Sequence, residues 1–425
     1  MTARQERRSI ESGAAQQPSR AFKRTAFRLA SMLFILLLAA CGSPRTDDTR
    51  TTIQPIQPTV EAPDTTALRP VGLTDDGKIG IGFLAPLTGS EAAVGQALLQ
   101  AAQIAFLDNA GADLALLVED TGGNPQGAAA AAQRLLDQGA GIVVGPLFSA
   151  SARAAAPVLA AAGVPLLTFS NDRSIAGQGV YTLGFDPASE VDRIVEFSSR
   201  QGLLRFAAFA PDTPYGRVAV VALQQAATRG PLSVERVAYY DQTARSLNES
   251  AKAFASIGPD SIDAVLLPDG GQRLLGVAPY LPYYDIALPD VRFLGTALWA
   301  DASLLREDTL KGGWFAAPDP AIWEDFNKRY TGLFGKQPPR VASLGYDAAA
   351  VATVLARDLQ PQAFQQAEAF GPAALTQAQG FFGVNGIFRL REDGSVERGL
   401  AIIEVSPEGF QIIEAAPQSF QIATF

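Results

Sequence analysis

The sequence predicts an α/β fold with two doubly wound, Rossmann-like lobes. Its 425 residues are enough for two core-forming domains with a tail to spare. Short apolar runs bounded by glycine or proline alternate with alanine- and leucine-rich stretches, which is typical of parallel strands joined by helices. The alternation pauses near residues 181–185 and then starts again, so two successive lobes are expected.

The segment 142–172 is the clearest repeating unit. It reads as a buried strand, a turn carrying Ser149, an alanine-rich helix, a Gly-Val-Pro break and a second buried strand at 165–169. Both strands are apolar throughout, which suits a parallel sheet covered by helices on both faces. The same reasoning predicts, earlier in this lobe, strands at 78–84 and 114–118 and helices at 92–110 and 126–138.

The second lobe repeats the pattern. Its predicted helices are 188–201, 215–228, 247–257 and 272–280, and its predicted strands are 205–209, 234–240, 264–267 and 292–294. Two further helices are expected at 321–332 and 345–358. The end of the chain is predicted to be rich in strands, with runs at 383–390 and 400–405 and a turn at Asp393-Gly394.

The first 40 residues have the pattern of a secretory signal. Seven basic residues precede an apolar run at 29–40, which is too short to span a membrane as a helix. The run ends in Leu-Ala-Ala followed by Cys41, the only cysteine of the chain, and this ending resembles a bacterial lipobox in which the cysteine becomes lipidated. The alternative is an ordinary signal peptide with a chance cysteine. A lone thiol in an exported protein favours lipidation.

The charge and the region after Cys41 limit the partners. Removing residues 1–40, with seven basic and two acidic residues, moves the formal charge from −9 to −14. An acidic protein is a poor partner for nucleic acid or an anionic membrane surface.

Residues 41–77, rich in Thr, Pro, Gln and Asp, are predicted to be a disordered tether spanning roughly 30–35 Å.

The sequence contains no constellation of residues for catalysis. It has no histidine and no second cysteine, so the commonest general base, metal ligand and thiol nucleophile are absent. It also lacks a nucleophile elbow, a dinucleotide fingerprint and a phosphate-loop lysine motif. We therefore expect no enzymatic activity, no cofactor and no metal.

Polar residues at the predicted strand ends are the candidate site. Ligands of doubly wound sheets bind beyond the carboxyl ends of the strands, in clefts that offer a few convergent polar groups. The alternative for each residue is that it caps a helix or closes a turn. The candidates are Thr88, Ser149, Ser170, Asn171, Asp172, Tyr215, Asp269, Thr296 and Trp299.

Seven short segments carry a resemblance to a known family. They are 82–89 (GFLAPLTG), Gly145-Pro146 with Ser149, 163–165 (GVP), Ser170-Asn171, Tyr215-Gly216, 345–348 (GYDA) and 383–388 (GVNGIF). Through them, the chain from about residue 78 onward resembles the type I periplasmic binding proteins of the leucine-binding-protein class. The resemblance implies two lobes, a hinge and closure on a small ligand in a central cleft.

The family pattern also implies the domain boundaries. Three crossovers are expected near Phe185, Ala317 and Gln379. The first lobe would comprise residues 78–185 and 318–379, and the second lobe residues 186–317 and 380–425.

The resemblance gives some of the candidate residues a role. Ser149 matches the ligand serine of the family, and Tyr215 matches its aromatic residue on the second lobe. Members that bind amino acids have a small hydroxyl residue about two positions after Ser170, where this chain has Asp172, and an acidic residue there would repel a ligand carboxylate. Asp269 is the candidate partner for a ligand ammonium group.

Two functions remain open after this comparison. The leading hypothesis is a non-catalytic, lipid-anchored periplasmic solute-binding protein that binds a small polar ligand, such as an amino acid or a peptide-like compound, and serves a transporter permease. The alternative comes from 295–299 (GTALW) and 312–315 (GGWF), which resemble lipoproteins named penicillin-binding protein activators. Those proteins are implied to contact peptidoglycan synthases. Gly42 after the cysteine favours the outer membrane.

Overall fold

The computed structural model describes residues 71–420 except residues 110, 112 and 242. These residues lie within one compact unit of the chain. The predicted signal peptide at 1–40, the predicted lipidation site Cys41 and most of the predicted tether lie outside the described residues.

The first sheet contains five parallel strands in the order β2-β1-β3-β4-β5. In β1 the side chains alternate between the two faces. Ile79, Ile81 and Phe83 pack in one core, while Gly82 faces α2, where an added Cβ would lie 2.9 Å from Leu135 Cδ1. The strands are β1 (Ile79–Ala85), β2 (Leu114–Asp120), β3 (Ala140–Val144), β4 (Leu166–Thr168) and β5 (Val180–Thr182).

The second sheet contains seven strands in the order β15-β14-β10-β9-β8-β6-β7. Strands β6 to β10 are parallel to their neighbours in this group, whereas β14 and β15 run antiparallel. The strands are β6 (Arg205–Pro211), β7 (Ser233–Tyr240), β8 (Ala264–Leu266), β9 (Arg292–Gly295), β10 (Trp314–Ala317), β14 (Ala401–Ser406) and β15 (Gly409–Glu414).

A small antiparallel sheet connects the two. It consists of β11 (Phe381–Gly383), β12 (Gly386–Leu390) and β13 (Val396–Arg398). Its buried residues Phe381, Phe388 and Val396 pack in the core of the first sheet. The chain therefore enters the second sheet only after β13. The boundary expected at residue 380 placed these strands in the second lobe, because alternation in a short hairpin does not reveal which core its apolar face covers.

Helices cover both faces of the two large sheets. Phe209 and Phe293 lie in one core of the second sheet, whereas Phe206 and Val220 lie in the core on its other face. The helices are α1 (Ala92–Asn109), α2 (Pro125–Asp137), α3 (Ser149–Ala161), α4 (Pro187–Arg200), α5 (Pro214–Ala227), α6 (Ala244–Ala255), α7 (Gly271–Val277), α8 (Tyr280–Tyr283), α9 (Pro320–Phe334), α10 (Ala342–Ala356), α11 (Gln366–Ala369) and α12 (Pro372–Leu375). Short 3₁₀ helices lie at Arg173–Ile175, Pro259–Ser261, Ala297–Trp299, Ala302–Arg306, Asp308–Leu310 and Pro361–Ala363.

The α/β class and the two doubly wound sheets predicted from the sequence are confirmed. Strands β5, β10, β13 and β15 were not predicted as strands. They have three to six residues, and runs this short give little periodicity to detect.

The predicted tether was too long at its carboxyl end, because residues 71–77 already belong to the folded body. Leu73 forms an antiparallel bridge with Ile79, and the Gly80 N–H donates to Gly72 O at 2.9 Å. An added Cβ at Gly139 would lie 1.9 Å from Leu73 O, so this turn is packed directly against the chain before β3.

Helices α1 and α10 pack very closely at Gly345. A Cβ there would lie 2.2 Å from Leu98 O, which is backbone and cannot rotate away. We expect Gly345→Ala to lower the free energy of unfolding by about 1–3 kcal/mol, measured by urea denaturation. Gly332→Ala on α9 is the matched control, because a Cβ there meets nothing within 4 Å. That variant should be neutral or more stable by up to ~1 kcal/mol. Equal effects of the two substitutions would contradict the close approach.

Candidate functional site

The two large sheets share one strand order, and this order locates a crevice in each. Strands β2-β1-β3-β4-β5 and strands β7-β6-β8-β9-β10 both follow the 2-1-3-4-5 arrangement of doubly wound folds. In this arrangement the crevice lies beyond the carboxyl ends of the first and third strands. Thr88 and Ser149 follow those strands in the first sheet, and Tyr215 and Asp269 follow them in the second.

The candidate residues after β3 and β4 form one polar group around Asp172. Its carboxylate accepts hydrogen bonds from the Ser174 N–H at 3.0 Å and hydroxyl at 2.6 Å and pairs with Arg153 at 3.2 Å. The Asp172 N–H in turn donates to Ser170 Oγ at 3.1 Å. The bond from Ser174 is the main cause that lowers the pKa of Asp172, and Arg153 and Ser149 lower it further. Asp172 is therefore an ionised residue that caps the 3₁₀ turn after it.

Thr88 and Asn171 have local structural partners. Thr88 Oγ1 donates to Asp120 Oδ2 at 2.5 Å, and the other oxygen of Asp120 accepts from the Leu87 N–H at 2.8 Å. These bonds close the turn between β1 and α1. Asn171 Nδ2 donates to Phe185 O at 3.2 Å, on the segment that leads to the second sheet.

Tyr215 and Thr296 meet a buried glutamate at the edge of the second sheet. The Tyr215 hydroxyl donates to Thr296 Oγ1 at 2.9 Å and lies 3.4 Å from Glu190 Oε2. The Ala297 N–H donates to the same oxygen of Glu190 at 2.9 Å. Glu190 is only 4% exposed, and its burial raises its pKa to about 8. At neutral pH this carboxyl group is therefore mostly protonated.

Asp269 is also at this edge, but its carboxylate is fully engaged. The side chain is completely buried and accepts from the Tyr240 hydroxyl, the Gly270 N–H and Arg273 Nε, each at 2.9 Å. A ligand ammonium group would have to displace one of these donors. Trp299 is buried as well and donates from Nε1 to Leu267 O at 3.1 Å.

A buried ion pair joins the region where the chain passes between the sheets. Arg398 Nη1 lies 3.3 Å from Asp347 Oδ2, and Arg398 Nη2 donates to Leu183 O at 2.7 Å. Asp347 also accepts from the Val384 N–H and from Asn385 Nδ2, both at 2.8 Å. The pair therefore ties α10 to β13, to the loop between β11 and β12, and to the segment after β5.

Arg340, which precedes α10, stands in the same region without a hydrogen-bonded partner. Its guanidinium lies 4.5 Å from the centre of the Trp323 ring, and within the described part of the chain its side chain makes no hydrogen bond or ion pair. Burial lowers the pKa of Arg340 to about 10, with Asp347 and Glu190 acting in the opposite direction. The group is thus still charged at neutral pH.

Comparison with known proteins agrees with this architecture. The model of a family described as periplasmic binding protein matches residues 78–410. The chain belongs to this family. A search of curated proteins found no match.

Solved structures of other proteins share the fold. A protein of Rhodospirillum rubrum, described as a branched-chain amino acid ABC transporter, has a TM-score of 0.70 and 18% identity over 79% of this chain and all of its own. An ABC transporter substrate-binding protein of Sphaerobacter thermophilus has a TM-score of 0.62 and 17% identity over 79% of this chain and 96% of its own. A leucine-binding protein of Thermotoga maritima has a TM-score of 0.55 and 20% identity over 79% and 97%.

In this periplasmic binding protein, some of the predicted site residues lie close together, whereas others contact only their own neighbours. Ser149, Ser170 and Asp172 converge in the first lobe, and Tyr215 and Thr296 converge in the second, whereas Thr88 and Asp269 bind their own neighbours. No group of three or more potential metal ligands occurs among the described residues. In that same part of the chain, no helix is long and apolar enough to cross a membrane.

Sequence reasoning missed the charged residues Glu190, Arg340, Asp347 and Arg398. They lie inside or before helices and in a short strand, whereas the predicted site residues all follow the ends of strands. Asp347 did carry a signal, because it is the only charged residue in the otherwise apolar or small-residue helix α10. A lone acid on a buried helix requires a partner.

The buried Glu190 should make stability depend on pH. The unfolded chain loses this proton near pH 4.5 and the folded chain near pH 8, so the unfolded state holds fewer protons between these values. The free energy of unfolding therefore falls as pH rises from 4.5 to 8, by about 4–5 kcal/mol from this group, and the decline stops above pH 8.

Glu190→Gln should remove this decline, because glutamine keeps the acceptor oxygen and cannot ionise. Relative to the parent protein, the variant gains stability between pH 5 and pH 8, measured by urea denaturation at each pH. Glu196→Gln on the same helix is the control, since the Glu196 side chain is 66% exposed. A parallel pH profile for Glu190→Gln and the parent would show that the carboxyl group is not buried as described.

Proposed function

We propose that this protein is a non-catalytic periplasmic solute-binding protein that holds a small polar ligand, an amino acid or a peptide-like compound, between its two lobes. The observation that supports this most is the position of polar residues at the crevices of two equivalent sheets: Ser149 follows the third strand of the first sheet, and Tyr215 follows the first strand of the second. Ligand binding would then favour closure of the lobes.

Ligands of solved family members are consistent with this class of compound. A branched-chain amino acid transporter substrate-binding protein of Streptococcus pneumoniae was solved with isoleucine, and solute-binding proteins of Rhodopseudomonas palustris were solved with benzoate and with 3,4-dihydroxybenzoic acid. All three ligands are small and carry a carboxyl group. The partner proposed for this chain is accordingly the permease of an ABC transporter.

We also propose that the protein is attached to the membrane through a lipid on Cys41, with the outer membrane favoured by Gly42. The tether after Cys41 would let the folded body stand off the membrane surface. These proposals rest on the sequence of residues 1–77.

The alternative, activation of a peptidoglycan synthase by protein contact, rests on the segments 295–299 and 312–315. Part of that motif has a packing explanation. An added Cβ would lie 2.2 Å from Trp299 Cδ2 at Gly295 and 2.8 Å from Trp299 Cζ3 at Gly313, so these glycines make room for a buried indole. Because these glycines are needed to pack a buried side chain, their presence is not evidence for binding to a partner protein at the surface.

A thermal-shift screen of amino acids, small peptides and organic acids tests the binding proposal. A ligand at 100 times its Kd should stabilise the native state by about 2.7 kcal/mol, which raises Tm. Ser149→Ala should weaken binding of that ligand by about tenfold, the value of one or two lost hydrogen bonds. Ser151→Ala on the same helix is the control, because the buried Ser151 hydroxyl has no partner among the described residues. A screen without any stabilising compound would count against solute binding.

Cys41→Ser should release the protein from membranes, because serine cannot accept the thioether-linked lipid. The measurement is fractionation of cells into soluble and membrane fractions, and Ser43→Ala is the control for a change in the same region. If Cys41→Ser stays in the membrane fraction as the parent does, the anchor lies elsewhere.

A further inference from the structure

The guanidinium of Arg340 is a charged group that makes no hydrogen bond or ion pair with another described residue and contacts the Trp323 ring. We propose that Arg340 is the anion anchor of the cleft and that the ligand binds it through a carboxylate. This inference rests on the proposed solute-binding function and adds to it the charge class of the ligand and the residue that selects it.

The packing of α10 on α1 places Arg340 at the carboxyl edge of the first sheet. A Cβ at Gly345 would lie 2.2 Å from Leu98 O, and one at Gly111 would lie 3.4 Å from Arg357 O. The start of α10 therefore lies beside the start of α1 and the end beside the end, so the two helices are parallel. Since α1 follows the carboxyl end of β1, the residue that precedes α10 lies at this same edge.

The ring of Trp323 packs against the Arg340 guanidinium. The cation lies 4.5 Å from the ring centroid, a distance at which the face of an indole attracts it. No hydrogen bond or ion pair to another described residue uses the guanidinium N–H groups, so they are available to a ligand. A planar fork of donors matches the two oxygens of a carboxylate.

The charges nearby leave Arg340 as the uncompensated cation. Asp347 is held by Arg398 at 3.3 Å, and Asp186 is held by Arg173 at 2.5 Å. Glu190 is the remaining acid in the group, and its burial keeps it mostly neutral at pH 7. An anionic ligand would restore charge balance, whereas a ligand with a positive group at this position would be repelled.

A different role for Arg340 would be to pair directly with Glu190 when the lobes close. In that case the arginine is a latch and the ligand need not be an anion. The two roles differ in what Glu190 does: a latch needs its negative charge, whereas an anchor is weakened by it, because a second carboxylate competes for the same guanidinium.

The test measures Kd by calorimetry on the mature chain, with benzoate, succinate and isoleucine as carboxylate probes and benzamide as the neutral counterpart of benzoate. We expect at least one carboxylate to bind the parent protein and benzamide to bind at least about tenfold more weakly. Arg340→Gln should weaken the bound carboxylate by a similar factor, and Arg340→Lys by less. Arg357→Gln at the opposite end of α10 removes the same charge and should leave Kd within about twofold.

The Glu190→Gln variant distinguishes the two roles of Arg340, as an anchor for the ligand and as a latch between the lobes. For an anchor, this variant binds the carboxylate more tightly than the parent above pH 8, because the ionised Glu190 of the parent competes for the guanidinium. The groups that set this pH response around Glu190 are Asp186, Arg398, Arg340 and Tyr215. For a latch, Glu190→Gln weakens binding as much as Arg340→Gln does.

The outcomes distinguish failure of the Arg340 anchor from failure of the solute-binding function. Carboxylate binding that survives Arg340→Gln within about twofold, or a Glu190→Gln variant that loses affinity, overturns the anchor and leaves solute binding intact. Binding of neutral compounds without any carboxylate does the same. If neither these probes nor the wider screen yields a ligand, the solute-binding function itself fails and the anchor fails with it. Far-UV circular dichroism and Tm of each variant exclude unfolding as the cause.

Discussion

The ion pair between Arg398 and Asp347 is the interaction on which the connection of the two lobes depends. Both residues are buried, and the hydrogen bonds that they form offset part of the free energy of removing two charges from water. Asp347 accepts three hydrogen bonds, from Arg398, Asn385 and the Val384 N–H, and these occupy both of its carboxylate oxygens. Loss of one partner would leave a buried charge unpaired, which typically costs about 3–5 kcal/mol.

The pair also explains why the small sheet is built as it is. An added Cβ at Gly383 would lie 2.1 Å from Asp347 Oδ1, so the strand before the loop has to lack a side chain where it passes the carboxylate. The rings of Phe185 and Phe388 lie 5.5 Å and 5.1 Å from the Arg398 guanidinium and complete its surroundings. Phe185 belongs to the first passage between the sheets and Arg398 to the last one. A single arginine therefore fixes the relative position of two connecting segments that are more than 200 residues apart in sequence.

Much of the fold could be predicted because its signals are local. Apolar runs such as 79–85 predict strands, and the alanine-rich run from Ser149 predicts a helix, from their own residue types alone. The order of these elements is then enough to indicate a doubly wound sheet. The site could be predicted only in part. Ser149 and Tyr215 follow strands and are visible by position, whereas Glu190, Arg340 and Arg398 owe their properties to contacts with residues far away in sequence. No sequence pattern near Glu190 predicts that the chain around Ala297 packs against it. The burial that raises the pKa of Glu190 therefore depends on residues far away in sequence.

The same long-range contacts decide what kind of ligand the crevice can accept. The sequence suggested that Asp172 would repel a ligand carboxylate. In the structure Asp172 pairs with Arg153 and accepts a hydrogen bond from Ser174, so these neighbours partly neutralise its charge. Asp269 is saturated by three donors and cannot readily serve a ligand ammonium. With Glu190 mostly neutral at pH 7, the acidic residues of the crevice contribute less negative charge than their number suggests, and Arg340 contributes a full positive charge. Under the proposed function, the charge that a ligand meets is therefore set by burial and ion pairing and not by the acidic composition of the whole chain.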